Sequence, residues 1–196
     1  LQHVKRLDDA IDNYEKGITI REDLYYKKSK KEEAPGLANL YTSKATLHFE
    51  TGTDPELGID LCRKAISLLE PHISGKDVMD THRLYAMSYS NMAGGMLKLN
   101  QDDPEAWKAS DTALKLLQNL VIQRKAYQFF NTLSTCYLTR VQYFLATGKA
   151  IRAQEARDEL LDSLDNCRQE NPSSHLDNIR DNAIETLKQM GFERPA

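Results

Sequence analysis

The sequence predicts an all-α fold: an α-solenoid of stacked antiparallel helix pairs, with about eight helices and essentially no strand. Three observations carry this. Residues recur every 48 positions, as in Tyr41, Tyr89 and Tyr137, in Gly52, Asn100 and Gly148, and in Phe49, Leu97 and Leu145. A second, offset set repeats at the same spacing: Ala10, Gly58 and Ala106; Gly17, Ala65 and Ala113; Ile18, Ile66 and Leu114. Long segments carry apolar residues at i, i+3 and i+4 with little strict alternation, the signature of half-buried helices. Six prolines and nine glycines mostly stand between those segments. A fixed period means one supersecondary unit copied and stacked, each copy burying its neighbour's apolar face.

The first helix is predicted over Leu1 to about Tyr26, with Leu7, Ala10, Ile11, Tyr14, Gly17 and Ile18 on one stripe, closed by a lysine-rich linker and Pro35. The second runs from about Gly36 to Thr51, where Leu37, Tyr41, Ala45 and Phe49 recur every four residues. Gly52 then supplies the left-handed residue that commonly ends a helix. Asp54 before Pro55 reads as a start: a carboxylate N-cap, then a proline whose missing N–H costs nothing in the first turn. That helix bears Leu57, Leu61, Ala65, Leu68 and Leu69 and stops at Pro71. The pattern returns with Tyr85, Tyr89, Ala93 and Leu97 on a helix reaching Asn100, and Asp103–Pro104 opens its mate, with Ala106, Ala109, Ala113 and Leu116. A third pair divides at Gly148, with Leu133, Tyr137, Val141 and Leu145 before it and Ala153, Leu160, Leu161 and Leu164 after it. The last helix follows Pro172-Ser173-Ser174. Leu176, Ile179, Ala183, Leu187 and Met190 line one side of it, charged residues the other, and Gly191 ends it. Such a one-sided helix covers the end of a stack.

At 196 residues, 40% hydrophobic and 28% charged, the chain can bury a substantial core and is unlike a disordered one. Net charge is −3, which disfavours nucleic acid as partner, since phosphate binding wants a basic face. Lys27, Lys28, Lys30 and Lys31 are followed at once by Glu32 and Glu33 and read as a solvated linker. No apolar run is long enough to cross a bilayer. The three cysteines, Cys62, Cys136 and Cys167, form no CxxC pair. Cys62 and Cys136 sit among apolar helix positions, where free cysteine behaves as a small hydrophobe, and a reducing, cytoplasmic setting is expected.

These residues resemble the tetratricopeptide-repeat (TPR) superfamily, in a long-unit, degenerate form. That family pairs a helix A, in which a large aromatic precedes a small residue by four, with a helix B whose small residues lie seven apart. Tyr41 with Ala45, Tyr89 with Ala93, and Tyr137 with Val141 match helix A; Gly58 with Ala65, and Ala106 with Ala113, match helix B. The third helix B departs, with Gln154 and Leu161 at the small positions, and the unit is 48 residues where 34 is usual. The stretch Ala10–Arg21 followed by Leu37–Gly52 resembles TPRs of kinesin light chain type and of bacterial multi-domain regulators. The resemblance implies a right-handed superhelix over residues 1–196: a leading helix B and linker (1–35), repeat 1 (36–71), repeat 2 (72–119), repeat 3 (120–172), and a capping helix and tail (173–196).

Nothing points to an enzyme. His3, His48, His72, His82 and His175 form no metal-ligand pair, and no phosphate-binding glycine loop or nucleophile elbow occurs, so no metal or cofactor is expected. His48 shares its repeat position with Met96 and Phe144 and reads as a satisfied core or edge histidine. Gly94-Gly95 sits inside a helix, where each glycine costs about 1 kcal/mol relative to alanine. A close helix crossing or a bound ligand backbone would offset that.

In TPR-like stacks the A helices line a concave groove. The resemblance then assigns Asn39, Ser43 and Thr46, then Met87, Ser90, Asn91 and Gly94, then Thr135, Thr139 and Gln142 to its surface. These are uncharged, and hydroxyls and amides can hydrogen-bond a peptide main chain. Lys44 and Arg140 lie one residue off that face, so the carboxylate-binding constellation of some TPRs is incomplete. The expected function is a non-enzymatic scaffold binding a peptide or helix of a partner protein. The alternative is a regulatory or sensor segment of a larger enzyme or signalling protein. Self-association through the N-terminal helix is a further expectation.

Overall fold

A computed structural model describes residues 2–74 and 79–192. The described residues contain eight α-helices and no strand: α1 (Gln2–Glu22), α2 (Ala34–Thr51), α3 (Pro55–Leu69), α4 (Met79–Leu99), α5 (Pro104–Gln118), α6 (Phe130–Ala146), α7 (Ala150–Glu170) and α8 (Ser174–Gln189). Leu1 and the side chains of Leu7 and His3 lie outside what is described. Local chemistry sets the boundaries. Asp54 Oδ1 accepts from the Leu57 amide at 2.9 Å and Asp103 Oδ1 from the Glu105 amide at 2.8 Å, satisfying first-turn donors. Gly52 and Gly148 end α2 and α6 at φ 65° and 70°, a backbone conformation that strains any residue with a Cβ. Pro35 does not close the first helix. It sits in the first turn of α2, where its missing N–H removes no hydrogen bond.

The connectors repeat as well as the helices. A π-helical turn over Asp23–Lys27, a left-handed Ser29 (φ 56°) and a 3-10 turn over Lys31–Glu33 lead from α1 to α2. The same sequence of conformations, Asn119–Gln123, Lys125 (φ 56°) and Tyr127–Phe129, leads from α5 to α6. The hydrogen bonds correspond too: Lys30 N to Leu24 O at 3.0 Å, and Ala126 N to Leu120 O at 3.2 Å. Two periods of 48 separate the members of each pair. The repeat is therefore one of backbone conformation, extending beyond the side-chain pattern.

Each helix packs on its sequence neighbours, and α2, α4, α6 and α8 also touch in succession. Tyr41 and Tyr137 are buried at 3% and 1% exposure, whereas Tyr89 is half-buried. The Phe49 ring is clasped between α3 and α4. A Cβ added at Gly58 would stand 2.5 Å from its Cε1, and one at Gly95 would stand 2.3 Å from it. Two helices can approach a ring this closely only where they present glycine. In α7 the two positions where the repeat expects small residues, Gln154 and Leu161, behave differently, and Leu161 is buried at 7% exposure. Ala153, Ala156 and Leu160 are buried, whereas Gln154 is exposed, so the polar residue at the expected small position is turned out to solvent.

Candidate functional site

The surface that α2, α4 and α6 share is stitched by polar side chains. Deepest, Thr42 and Ser88 hydrogen-bond at 2.9 Å, both buried. Nearer the surface, Asn91 Nδ2 donates to Thr46 Oγ1 at 2.9 Å, and Lys98 Nζ donates to the Phe49 carbonyl at 3.0 Å. Between α4 and α6, the Tyr143 hydroxyl donates to the Gly94 carbonyl at 2.6 Å. A buried hydroxyl or amide must find a partner, and here the neighbouring helix supplies it.

The ten assigned positions therefore divide. Thr46, Asn91 and the Gly94 carbonyl take part in bonds between helices, and Ser90 is half-buried. Thr135 and Thr139 donate back to the carbonyls of Asn131 and Thr135 on their own helix, at 3.0 and 2.9 Å. Asn39, Thr135 and Gln142 are exposed, and Ser43, Met87 and Thr139 are half-buried. Gly94 stands apart from its neighbour Gly95, since a Cβ added there would meet nothing within 4 Å. The close helix crossing explains Gly95 alone. Within the fold, Gly94 lacks the contact that would offset its helix cost.

The charges beside this face are neutralised within the chain. Lys44, only 8% exposed, donates to Glu15 of α1 at 2.8 Å and holds that carboxyl below its usual range. Arg140 donates to Asp111 of α5 at 2.5 Å and to Ser110 at 3.3 Å. The face thus presents hydroxyls and amides without a free cation from either residue. His48 is 6% exposed. Its Nδ1 meets Thr53 Oγ1 at 3.1 Å, while Nε2 has no partner among the described residues, so it is only half satisfied. Burial, and then the Lys44 charge, hold its imidazole below the ordinary range.

Cys62, Cys136 and Cys167 are free and buried, and burial pushes the first two thiols up to about 12 and about 11. Thiols so raised are poor nucleophiles. A separate cleft of about 770 Å³ lies where α6 turns into α7, lined by Arg140, Phe144, Lys149, Ile151, Arg152 and Glu155. Beside it the Trp107 ring stacks on Phe144, centroids 4.9 Å apart, with the Lys149 ammonium 5.3 Å from the indole. Sequence reasoning missed this cleft, because its lining residues follow no motif. The Arg140–Asp111 pair, which joins helices across the repeat, was equally invisible.

No helix of the described residues is long and apolar enough to cross a membrane. No family model matches the chain, and no curated protein matches it. One solved structure, the crystal structure of BtubC (BKLC) from P. vanneervenii, is similar at 12% identity and a TM-score of 0.34, over 97% of this chain and 94% of that one. That likeness is too low to bear on fold or function.

Proposed function

We propose that the chain is a TPR-like α-solenoid and a non-catalytic scaffold, docking a peptide or helix of a partner protein along the face shared by α2, α4 and α6. One observation carries the reading: Gly94 stands mid-helix on that face with open space where a side chain would be. A glycine that the fold does not need, beside exposed Asn39, Thr135 and Gln142, suits a partner backbone lying close to α4. The uncharged surroundings favour a segment held through its main chain and neutral side chains over an anionic tail. Because the helices are fastened to one another across the face, docking would need little movement of the scaffold. Buried free cysteines accord with a reducing, cytoplasmic setting.

The test is affinity capture from native cell extract with the parent chain and an Asn39→Arg/Gln142→Arg variant. Neither residue makes a bond between helices, so the variant should fold normally by circular dichroism. A protein held by the parent and lost from the folded variant is the expected outcome. Identical capture by both would move the binding surface elsewhere.

A further inference from the structure

The cleft where α6 turns into α7 shares no residue with the docking face proposed along α2, α4 and α6. Its volume, about 770 Å³, is that of a small-molecule site. All of its lining falls within residues 140–159. It is therefore the recess of a single hairpin, too short to seat a helix or strand along its length, and that hairpin packs against α5 and α8. Its floor is apolar: Phe144, stacked on Trp107, and Ala156 are both buried. Ile151, which also lines it, is 74% exposed, more than any other large hydrophobic among the described residues.

The polar lining departs from the preceding units. One period earlier, the buried Met92 stands where this cleft has Arg140. Arg140 spends Nη1 alone, on Ser110 and Asp111, while Nε and Nη2 make no hydrogen bond among the described residues. Where α3 and α5 start, Asp54 and Asp103 cap the first turn and Glu56 and Glu105 stand within it. The start of α7 has neither a side-chain cap nor an acid, and carries Lys149 and Arg152 instead. Cations at the positive end of a helix oppose its dipole, and an anion seated between them would relieve both. Arg152 has no ion pair among the described residues, and that of Lys149 with Asp102 is 3.8 Å long. Arg152, Ala156 and Glu159 share one face of α7, so the recess runs from cationic to anionic over about 10 Å. We infer that it binds a small organic acid. One carboxylate is held by Lys149, Arg152 and the open first-turn amides of α7, and an aromatic or branched apolar body lies on Phe144 and Ala156 beside Ile151. The lining favours a single negative charge: three cations stand with two carboxylates, Glu155 and Glu159, which repel a doubly charged phosphate.

Amide-resolved NMR of the full chain tests this, with naphthoate as the probe and naphthamide and inorganic phosphate as controls. Naphthoate should shift the Ile151 and Arg152 amides saturably, and both controls should bind about tenfold more weakly or worse. Arg152→Glu should weaken naphthoate about tenfold or more. Arg152 is exposed, and the change places an acid in the first turn of α7, so thermal melting should show the variant at least as stable as the parent. Naphthamide binding as tightly as naphthoate would reduce the recess to apolar surface, and phosphate doing so would reduce it to a bare helix end. Either result overturns the inference. So does the absence of saturable shifts at these amides, or naphthoate binding that survives Arg152→Glu.

Discussion

Gly94 and Gly95 are neighbours with the same intrinsic helix cost, and replacing each with alanine should act in opposite directions. At Gly94 the new methyl meets nothing within 4 Å, so the variant gains only the helix propensity of alanine, about 0.5–1 kcal/mol. At Gly95 it would lie 2.3 and 2.5 Å from Cε1 and Cζ of Phe49. A flexible side chain could yield, but this ring is 9% exposed and hemmed in by Gly58 on α3. Overpacking of that kind costs about 1–3 kcal/mol. The propensity gain is common to both variants, so the difference between them isolates the steric term. Urea unfolding of the parent and both variants measures it: Gly94→Ala should be the most stable, with Gly95→Ala about 1–3 kcal/mol below it. Adding Phe49→Leu to Gly95→Ala should recover part of the loss, as expected for residues in contact. Equal stabilisation by both alanines, or destabilisation at Gly94, would refute the placement of Phe49 and of this face.

Three further outcomes follow from the packing and burial. Tyr137→Ala should destabilise by about 3–5 kcal/mol in denaturant unfolding, because the ring is 1% exposed and its hydroxyl accepts from Gln118 at 2.7 Å. Tyr89→Ala should cost clearly less, since that ring is half-buried. His48 is held below its ordinary range when folded, so the unfolded chain binds the proton more readily. Its contribution to stability is full above about pH 6.5, the unfolded value, and falls as the pH drops toward the folded one. Unfolding from pH 7.5 to 5 should therefore show a loss that is smaller in His48→Gln. Finally, a thiol reagent at pH 8 should leave Cys62, Cys136 and Cys167 unmodified in the native chain and label all three in denaturant; rapid native labelling would contradict their burial.

Local signals were legible in the sequence wherever one residue type decides the conformation. Gly52 and Gly148 marked their helix ends, and Asp54–Pro55 and Asp103–Pro104 their starts. Pro35 misled because proline closes one helix and opens the next with equal ease. The connectors were not legible, since Ser29 and Lys125 carry no sequence signal for a left-handed backbone. Of the candidate face, the residue types were readable but not their partners. Thr46 and Asn91 are 45 positions apart, and nothing in either residue announces that they bond. The same holds for Lys44 with Glu15 and Arg140 with Asp111, whose pairing removes charge from beside the face. Gly94 and Gly95 were indistinguishable in the chain. One residue is about 100° of rotation around a helix, enough to turn one glycine into the core and the other to open space.

The central claim is that a partner lies along α2, α4 and α6. Site-specific photocrosslinking tests it most directly, with a benzophenone side chain placed in turn at Asn39, Gln142 and Asp60 in native cell extract. Asp60 is exposed on α3, away from the proposed face. The account predicts one protein crosslinked from both Asn39 and Gln142 and absent from Asp60. Crosslinking of that protein from Asp60 but from neither of the other two positions would contradict it.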